Sequence, residues 1–349
     1  MIRVLHIVRR FGPVGGMEIY VWRLTHELAN LGVKVEVLCE MLEQEPDAQI
    51  VVHLMESSFQ RRRWKAMRDF RVACAEFWAG YKNSDGVIVH SHERSLFHHV
   101  TTFHGPPIGG IQRRAPWFKR LQPRMKAWAH FEEEELLGEQ VSAIVPVSSA
   151  IANSLVETYP AAIRLMTKPG WPGVDKPAKI QGRNQGYKLL FVGREWKRKG
   201  LDVALDAYSF VREKWPEASL DVYGVKASDL PRSLNKISAG VTFHGWQSSV
   251  PYERYDVLIH PARNEPFGMI VPEARASGLS VIVSNRVGAS ELPLSHVRVL
   301  DVSATVDIWV RTICDIFVSE RPGPEIYWSW QDLAKWHLLD LYPQLQTDD

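Results

Sequence analysis

The feature that most constrains this 349-residue chain is an alternation, present in both halves, of short β-branched runs with longer amphipathic stretches. The first half carries RVLHIV (3–8), VKVEVLCE (33–40), GVIVHSH (86–92), HVTTFHG (99–105) and AIVPVS (143–148). The second carries KLLFVG (188–193), SLDVYG (219–224), VTFHG (241–245), DVLIHP (256–261) and SVIVSN (280–285). Helical spacing is clearest over 16–31, where Ile19, Trp22, Leu24, Leu28 and Leu31 recur before a Gly32 stop, and over 201–215. Strands that alternate with helices specify βαβ units and parallel sheets. The expected fold class is therefore α/β, with two open domains facing each other across a cleft.

The stretch KPGWPGVDKPAKIQGRNQG (168–186) is rich in Pro, Gly and polar residues and lacks periodicity, so it reads as the linker between residues 1–170 and 171–330. A chain of this length has room for two cores. An apolar fraction of 45% and a charged fraction of 23% are those of an ordinary soluble protein, and a net charge of +2 argues neither for nor against an acidic partner. The opening MIRVLHIVRR is apolar for too few residues to act as a secretory signal, and no stretch approaches the roughly 20 apolar residues of a membrane span. Cys39, Cys74 and Cys314 fit no metal or redox spacing. The expected setting is cytoplasmic.

Four stretches carry candidate chemistry. In FGPVGGMEIY (11–20), Gly15 and Gly16 open a helix, where backbone can approach a phosphate or sugar closely. The spacing matches neither a dinucleotide fingerprint nor a P-loop, and a plain strand-to-helix turn reads equally well. In VGREWKRKG (192–200), Arg194, Lys197, Arg198 and Lys199 follow a strand. That run is either a solvated surface or an anion grip, since Arg holds two phosphate oxygens at once and Lys adds a point charge.

The third stretch, NEPFGMIVPEARASG (264–278), places Glu265 before a helix and Glu273 on it, eight positions later. Gly268 is the expected N-cap, with Phe267 ahead of it, Pro272 in the first turn and the amides of Met269 and Ile270 directed at a ligand. A separation of roughly 10 Å is too long for a shared proton and suits one extended ligand held at two places. Inverting hydrolases tolerate up to about 9.5 Å, so spacing alone leaves that pairing open. The fourth group is histidine at strand ends: His90, His92, His104 and His244. They show no metal-binding pairing, and His104 reads as a hydrogen-bonding group facing the cleft.

Together these stretches resemble the retaining, nucleotide-sugar-dependent glycosyltransferases of the GT-B fold, in the large family numbered four. The resemblance covers nearly the whole chain: the Gly15-Gly16-x-Glu18 loop, VPVSSAIANSL (145–155), PGVD (172–175), VGR…KG, VTFHGW, and above all YDVLIHPARNEPFGMIVPEARASG with its E-x7-E pattern. It departs from the family at Ala289, often a second glycine, and in DVYGVKA (221–227), which lacks Gly-x-Gly. It implies two Rossmann-like domains and a closing helix over 331–349 that packs back on the first.

The resemblance also implies roles. Glu273 would hold the ribose hydroxyls, Glu265 the donor-sugar hydroxyls, and Arg194 and Lys199 the diphosphate. The amides from Gly268 to Ile270, beside Phe267, would lie against sugar and phosphate, those of Gly15 and Gly16 would approach the diphosphate, and His104 would meet the sugar near the reacting centre. No Asp-x-Asp motif is present. The implied enzyme therefore uses no metal and no cofactor beyond its donor, a UDP- or GDP-sugar. The competing enzyme reading is a nucleotide-sugar epimerase on the same fold, and the non-enzymatic one a silent scaffold for glycan assembly.

Acceptor contacts are expected from the first domain. There RRRWKAMRDFR (61–71) and RRAPWFKRLQPRMKAWAHF (113–131) interleave cations with aromatics. That composition fits the inner face of an anionic membrane, where lipid-linked glycan acceptors lie, and it fits no nucleic-acid recognition module. The implied acceptor is a cell-surface glycan such as lipopolysaccharide core, exopolysaccharide or a lipid-linked intermediate.

Overall fold

The β-branched runs form two six-stranded sheets in which every strand pair is parallel. The computed structural model describes residues 2–56, 63–81, 85–176, 186–231, 234 and 239–345. The chain folds into two units, Met1–Gly173 with Trp328–Asp349, and Val174–Tyr327. Of the stretch read as a linker, residues 177–185 lie outside the described residues, as do residues 61 and 62 of the first basic stretch and 346–349 of the closing segment.

The strands of the first unit are β1 (Arg3–Ile7), β2 (Arg10–Phe11), β3 (Lys34–Cys39), β4 (Met41–Leu42), β5 (Ile50–Leu54), β6 (Val87–Ser91), β7 (Val100–Phe103) and β8 (Ala143–Pro146). Its large sheet has the order β5–β3–β1–β6–β7–β8, and β2 pairs separately with β4. In the second unit β9 (Lys188–Val192), β10 (Ser219–Tyr223), β11 (Val241–Gly245), β12 (Val257–His260), β13 (Ser280–Ser284) and β14 (Val297–Leu300) have the order β11–β10–β9–β12–β13–β14. Each sheet thus starts at its centre, winds to one edge, and returns to wind to the other. Such doubly wound sheets bind ligands at the carboxyl ends of the two strands where the winding reverses. Those strands are β1 and β6 in the first sheet, β9 and β12 in the second.

The sequence reading lacks one strand of each large sheet, β5 and β14, and the short β2–β4 pair. β5 and β14 are edge strands, and both expose apolar side chains: Val51 and Leu54 in β5, Val299 in β14. Interior strands, covered on two faces, are continuous apolar runs and legible as such.

The helices are α1 (Gly16–Asn30), α2 (Arg63–Ala79), α3 (Ile108–Arg114), α4 (Trp117–Arg120), α5 (Pro123–Leu137), α6 (Ser149–Thr158), α7 (Trp196–Lys199), α8 (Leu201–Lys214), α9 (Ile270–Ala276), α10 (Val306–Val318), α11 (Trp330–Trp336) and α12 (Tyr342–Gln344). In the first unit, Leu5, Ile7, Val87 and Val89 of the sheet meet Met67, Phe70 and Cys74 of α2. Helix α11 packs against α1. It opens with a capping box in which Ser329 Oγ accepts from the Asp332 amide at 3.1 Å, and it buries Trp330 and Trp336. In the second unit, α8 and α10 cover one face of the sheet through Leu201, Tyr208, Val211, Trp309, Ile313 and Phe317.

Helix α9 is only seven residues long and is fixed by a buried arginine. Arg275, 1% exposed, donates to the carbonyls of Leu279 (2.7 Å) and Gly323 (3.1 Å) and to Glu325 Oε2 (3.1 Å). Removing the guanidinium takes this donor from the Leu279 and Gly323 carbonyls, while Glu325 Oε2 keeps the Ser295 amide and hydroxyl. Arg275→Met should therefore cost about 2–4 kcal/mol in denaturant unfolding. An unchanged midpoint would show that α9 does not depend on it.

Candidate functional site

In the second unit the two strands flanking the reversal point deliver opposite charges to one place. After β9 the chain passes Gly193 and Arg194 into α7, then turns sharply at Gly200 (φ 78°). A Cβ on Gly200 would stand 2.1 Å from the Pro261 carbonyl oxygen, so a side chain fits neither the dihedral nor the space. This contact brings α7 against the loop that follows β12. The amide of Arg263 donates to the Arg198 carbonyl at 2.8 Å, and its guanidinium holds Asp202 at 2.7 and 2.9 Å.

Glu265 lies in that loop, and its backbone is clamped to the next one. Its amide donates to the Arg286 carbonyl at 2.9 Å, and its carbonyl accepts from the Gly288 amide at 3.0 Å. Its Oε2 takes Arg198 Nη1 at 2.9 Å and forms an ion pair with Lys199 Nζ. Burial pulls the Lys199 ammonium below its usual pKa, and Glu265 opposes that shift. His260, at the end of β12, lies 3.9 Å from the same oxygen, and burial beside Lys199 and Arg198 holds its pKa well below the usual value.

Glu273 has different neighbours. Tyr252 Oη donates to its Oε2 at 2.6 Å. Burial raises the carboxyl's pKa, against the Tyr252 bond and with help from Asp175. Glu265 thus pairs with cations and Glu273 with a phenol, and no hydrogen bond joins the two carboxylates among the described residues.

Gly268 is not the N-cap of α9. Met269 holds that position, Ile270 begins the helix, and Gly268 makes the turn before it at φ 94°. The extra residue is needed because the chain must first reach the 286–289 loop, where the buried Phe267 accepts the Ala289 amide at 2.7 Å. Arg194 and Lys199, grouped by sequence, have different surroundings: Arg194 is exposed, with its guanidinium carbon 5.4 Å from the centroid of Trp246. The residue that joins Lys199 is Arg198, one of four cations in the run. Tyr252 went unread because its partner lies 21 positions away.

In the first unit, Gly15 caps α1 and Gly16 begins it. Glu18 folds back over Gly15, where a Cβ would meet its Oε2 at 2.4 Å, whereas Gly16 has open space around it. His104 follows β7. Its Nε2 lies 3.2 Å from His92 Nδ1, and His92 Nε2 lies 3.1 Å from His6 Nδ1. Burial lowers the pKa of His104 and His6 to about 3. His244, in contrast, pairs with Asp221 at 2.8 Å and stacks on Tyr223.

His6, His90 and His92 are the one group among the described residues with metal-like proximity. Their chemistry favours packing over coordination. His90 stacks on His92 with ring centroids 4.5 Å apart, and its two nitrogens already meet Thr102 Oγ1 (2.7 Å) and Tyr342 Oη (2.9 Å). Ligands of one ion converge on it, whereas stacked rings run side by side.

Two doubly wound parallel domains are the frame of a GT-B-type glycosyltransferase, and the comparisons with known proteins identify the chain as one. Residues 14–166 match the model of Glycosyltransferase Family 4, and residues 186–315 that of Glycosyl transferases group 1. The chain belongs to this family. A D-inositol 3-phosphate glycosyltransferase of Pseudarthrobacter chlorophenolicus is 24% identical, over 82% of this chain and 78% of that protein. Among solved structures, WaaG, a glycosyltransferase involved in lipopolysaccharide biosynthesis, is similar with a TM-score of 0.72 and 17% identity over 98% of this chain and 97% of that one. Anabaena HepE in complex with UDP-glucose is similar with a TM-score of 0.63 and 13% identity over 99% and 98%.

The histidines make the first unit sensitive to acid. Burial lowers the pKa of His6 and His104 to about 3 and of His98 and His337 to about 4, and takes His90 and His92 well below 6.5. Unfolding frees these rings to protonate, so their stabilisation is complete above pH 6.5 and is lost as pH falls toward the folded values. Glu93 and Glu135, which burial raises to about 7, act in the opposite sense between pH 4.5 and 7. Six rings outweigh two carboxyls, at about 1.4 kcal/mol per pH unit for each excess proton. The thermal midpoint of the first unit should drop between pH 7 and pH 5. A flat or rising midpoint would contradict the neutral buried cluster.

Proposed function

We propose that the protein transfers a hexose from a nucleoside diphosphate sugar to a cell-surface glycan acceptor, retaining configuration at the anomeric carbon. The observation that carries this reading is the meeting of Lys199, Arg198 and Glu265 at the reversal point of the second sheet. Glycosyl transfer builds negative charge on the departing diphosphate. Lys199, with Arg194 nearby in sequence, supplies positive charge fixed in place before the reaction, which stabilises the leaving group without reorganisation. Glu265 balances that charge within the protein and turns toward the sugar hydroxyls when the diphosphate takes over the cations. Glu273, with one oxygen held by Tyr252, offers the other to the ribose hydroxyls. The leaving phosphate itself takes the acceptor proton on the face it departs from, which gives retention.

On the first unit, His104 meets the donor sugar, and the Gly16 amide approaches the diphosphate on the side that Glu18 leaves open. The cations take the place of a divalent ion, so the reaction needs no metal. HepE is named in complex with UDP-glucose, which makes UDP-sugars the first donors to try.

The acceptor is a glycan on a lipid or lipopolysaccharide carrier. Support comes from α3 to α5, where Trp117 (73% exposed), Phe118 (54%) and Leu121 (58%) stand among Arg113, Arg114, Lys119, Arg120, Arg124 and Lys126. Exposed aromatic and basic side chains on one short segment suit the interface of an anionic leaflet. No helix among the described residues is long and apolar enough to cross a membrane.

A thermal-shift screen of UDP-, GDP- and ADP-sugars identifies the donor. By calorimetry with that donor's nucleotide, Glu273→Ala should weaken binding by about tenfold or more, with the wild-type affinity unchanged in EDTA. Equal affinities in variant and wild type would remove Glu273 from the ribose, and EDTA-sensitive binding restored by magnesium would overturn metal independence. Sedimentation should show binding to anionic vesicles and none to neutral ones. Equal, negligible binding to both would exclude the membrane face.

A further inference from the structure

The strand register assembles a line of imidazoles behind His104. In the β1–β6 ladder His6 lies opposite His90, and in the β6–β7 ladder His90 lies opposite Val100. His92, just past β6, therefore stands two positions beyond His6 along the strands, and His104, just past β7, two beyond His92, so the three form a diagonal across β1, β6 and β7. The result is a chain of two ring-to-ring hydrogen bonds, His6 Nδ1 to His92 Nε2 at 3.1 Å and His92 Nδ1 to His104 Nε2 at 3.2 Å. His6 and His92 are 0% and 3% exposed, and His104 is half-buried. Tyr20 presents its ring to His104 edge-on at 5.0 Å, and His90 stacks on His92, itself tied to Thr102 and Tyr342.

A neutral imidazole has one donor and one acceptor nitrogen. In a chain of three, fixing one tautomer fixes the other two. The inner end decides which. His6 Nε2 is buried with no hydrogen-bond partner among the described residues. It must be either a bare lone pair or an orphaned N–H, and an orphaned buried N–H is the rarer arrangement. With the lone pair at His6 Nε2, His6 Nδ1–H donates to His92, and His92 Nδ1–H donates to His104 Nε2. The proton of His104 is then on Nδ1.

We propose that His92 and His6 are positioning residues for glycosyl transfer: they hold His104 in one orientation as the Nδ1–H tautomer, so that it presents an N–H donor to a sugar oxygen. The functional half rests on the reading of His104 as a donor-sugar contact. Without the chain, His104 would populate both tautomers and rotate about its side-chain bonds, and only a fraction of molecules would offer a donor. Partners that orient metal-bound histidines are typically worth about 10- to 100-fold in affinity or activity, and an effect of that order is expected here.

The test is long-range proton–nitrogen NMR of protein labelled with ¹⁵N-histidine, the His104 signals being assigned by their loss in His104→Asn. Wild-type His104 should show the neutral Nδ1–H pattern alone. His92→Phe should give a mixture of tautomers and lower kcat at least about tenfold, with little change in donor KM, on the nucleotide sugar selected by the screen. His92→Gln keeps one donor and one acceptor and should restore the single tautomer and most of the turnover. Wild-type His104 as Nε2–H, or a tautomer unaffected by His92→Phe, overturns the proposal, and the wild-type spectrum decides even if His92→Phe does not fold. A tautomer that follows His92, in a protein whose His104→Asn variant keeps full turnover, supports the chain and overturns the donor-sugar reading instead.

Discussion

Parallel strand pairing is the constraint on which the rest of this molecule depends. A parallel sheet brings the carboxyl ends of all its strands to one rim, and the loops that leave that rim carry the chemistry. In both units the first strand sits at the centre of the sheet and its neighbours wind outward from it. The two loops at the reversal point are splayed apart by helices that leave in opposite directions, which leaves space for a ligand. One rim receives His6, His90, His92 and His104. The other receives Arg194, Arg198, Lys199 and Glu265. The functional side chains are far apart in sequence and close in space for this one reason.

Charge at the second rim is balanced within the protein. Lys199 and Arg198 share a single carboxylate oxygen of Glu265, and Arg198 also pairs with Glu195, so two carboxylates balance the two cations. Partial burial keeps these charges from full screening by solvent, which is the property the proposed leaving-group role requires. Glu265 and Glu273 are the same residue type eight positions apart, yet their surroundings give them different properties. Cations surround the first. Burial and a tyrosine hydroxyl surround the second, and its pKa rises.

Much of this was legible in the sequence, and most of the exceptions have physical causes. The interior strands are unbroken β-branched runs, Glu265 and Glu273 stand out by their spacing in one motif, His104 by its place at a strand end, and Lys199 through the family resemblance. Of the strands missing from the reading, β14 has its apolar run broken by Arg298, whereas β5, IVVHL, carries a β-branched run like those of the interior strands. Gly268 was misplaced by one residue because the turn at Phe267 is set by Ala289, a contact across sequence that local capping rules do not contain. Arg198 looked like one surface cation among four until the Gly200 turn placed it on Glu265. The His6–His92–His104 chain depends on the relative register of three strands, which no local pattern encodes.

The central claim is that the loop after β9 and the segment from Glu265 through Glu273 form one donor site. Hydrogen exchange measured with and without a saturating nucleotide sugar tests it most directly. Slower exchange is expected at amides within 193–200 and 265–273, with little change at the edge strands β5 and β14. Donor binding demonstrated by calorimetry, with no added protection in either segment, would contradict it.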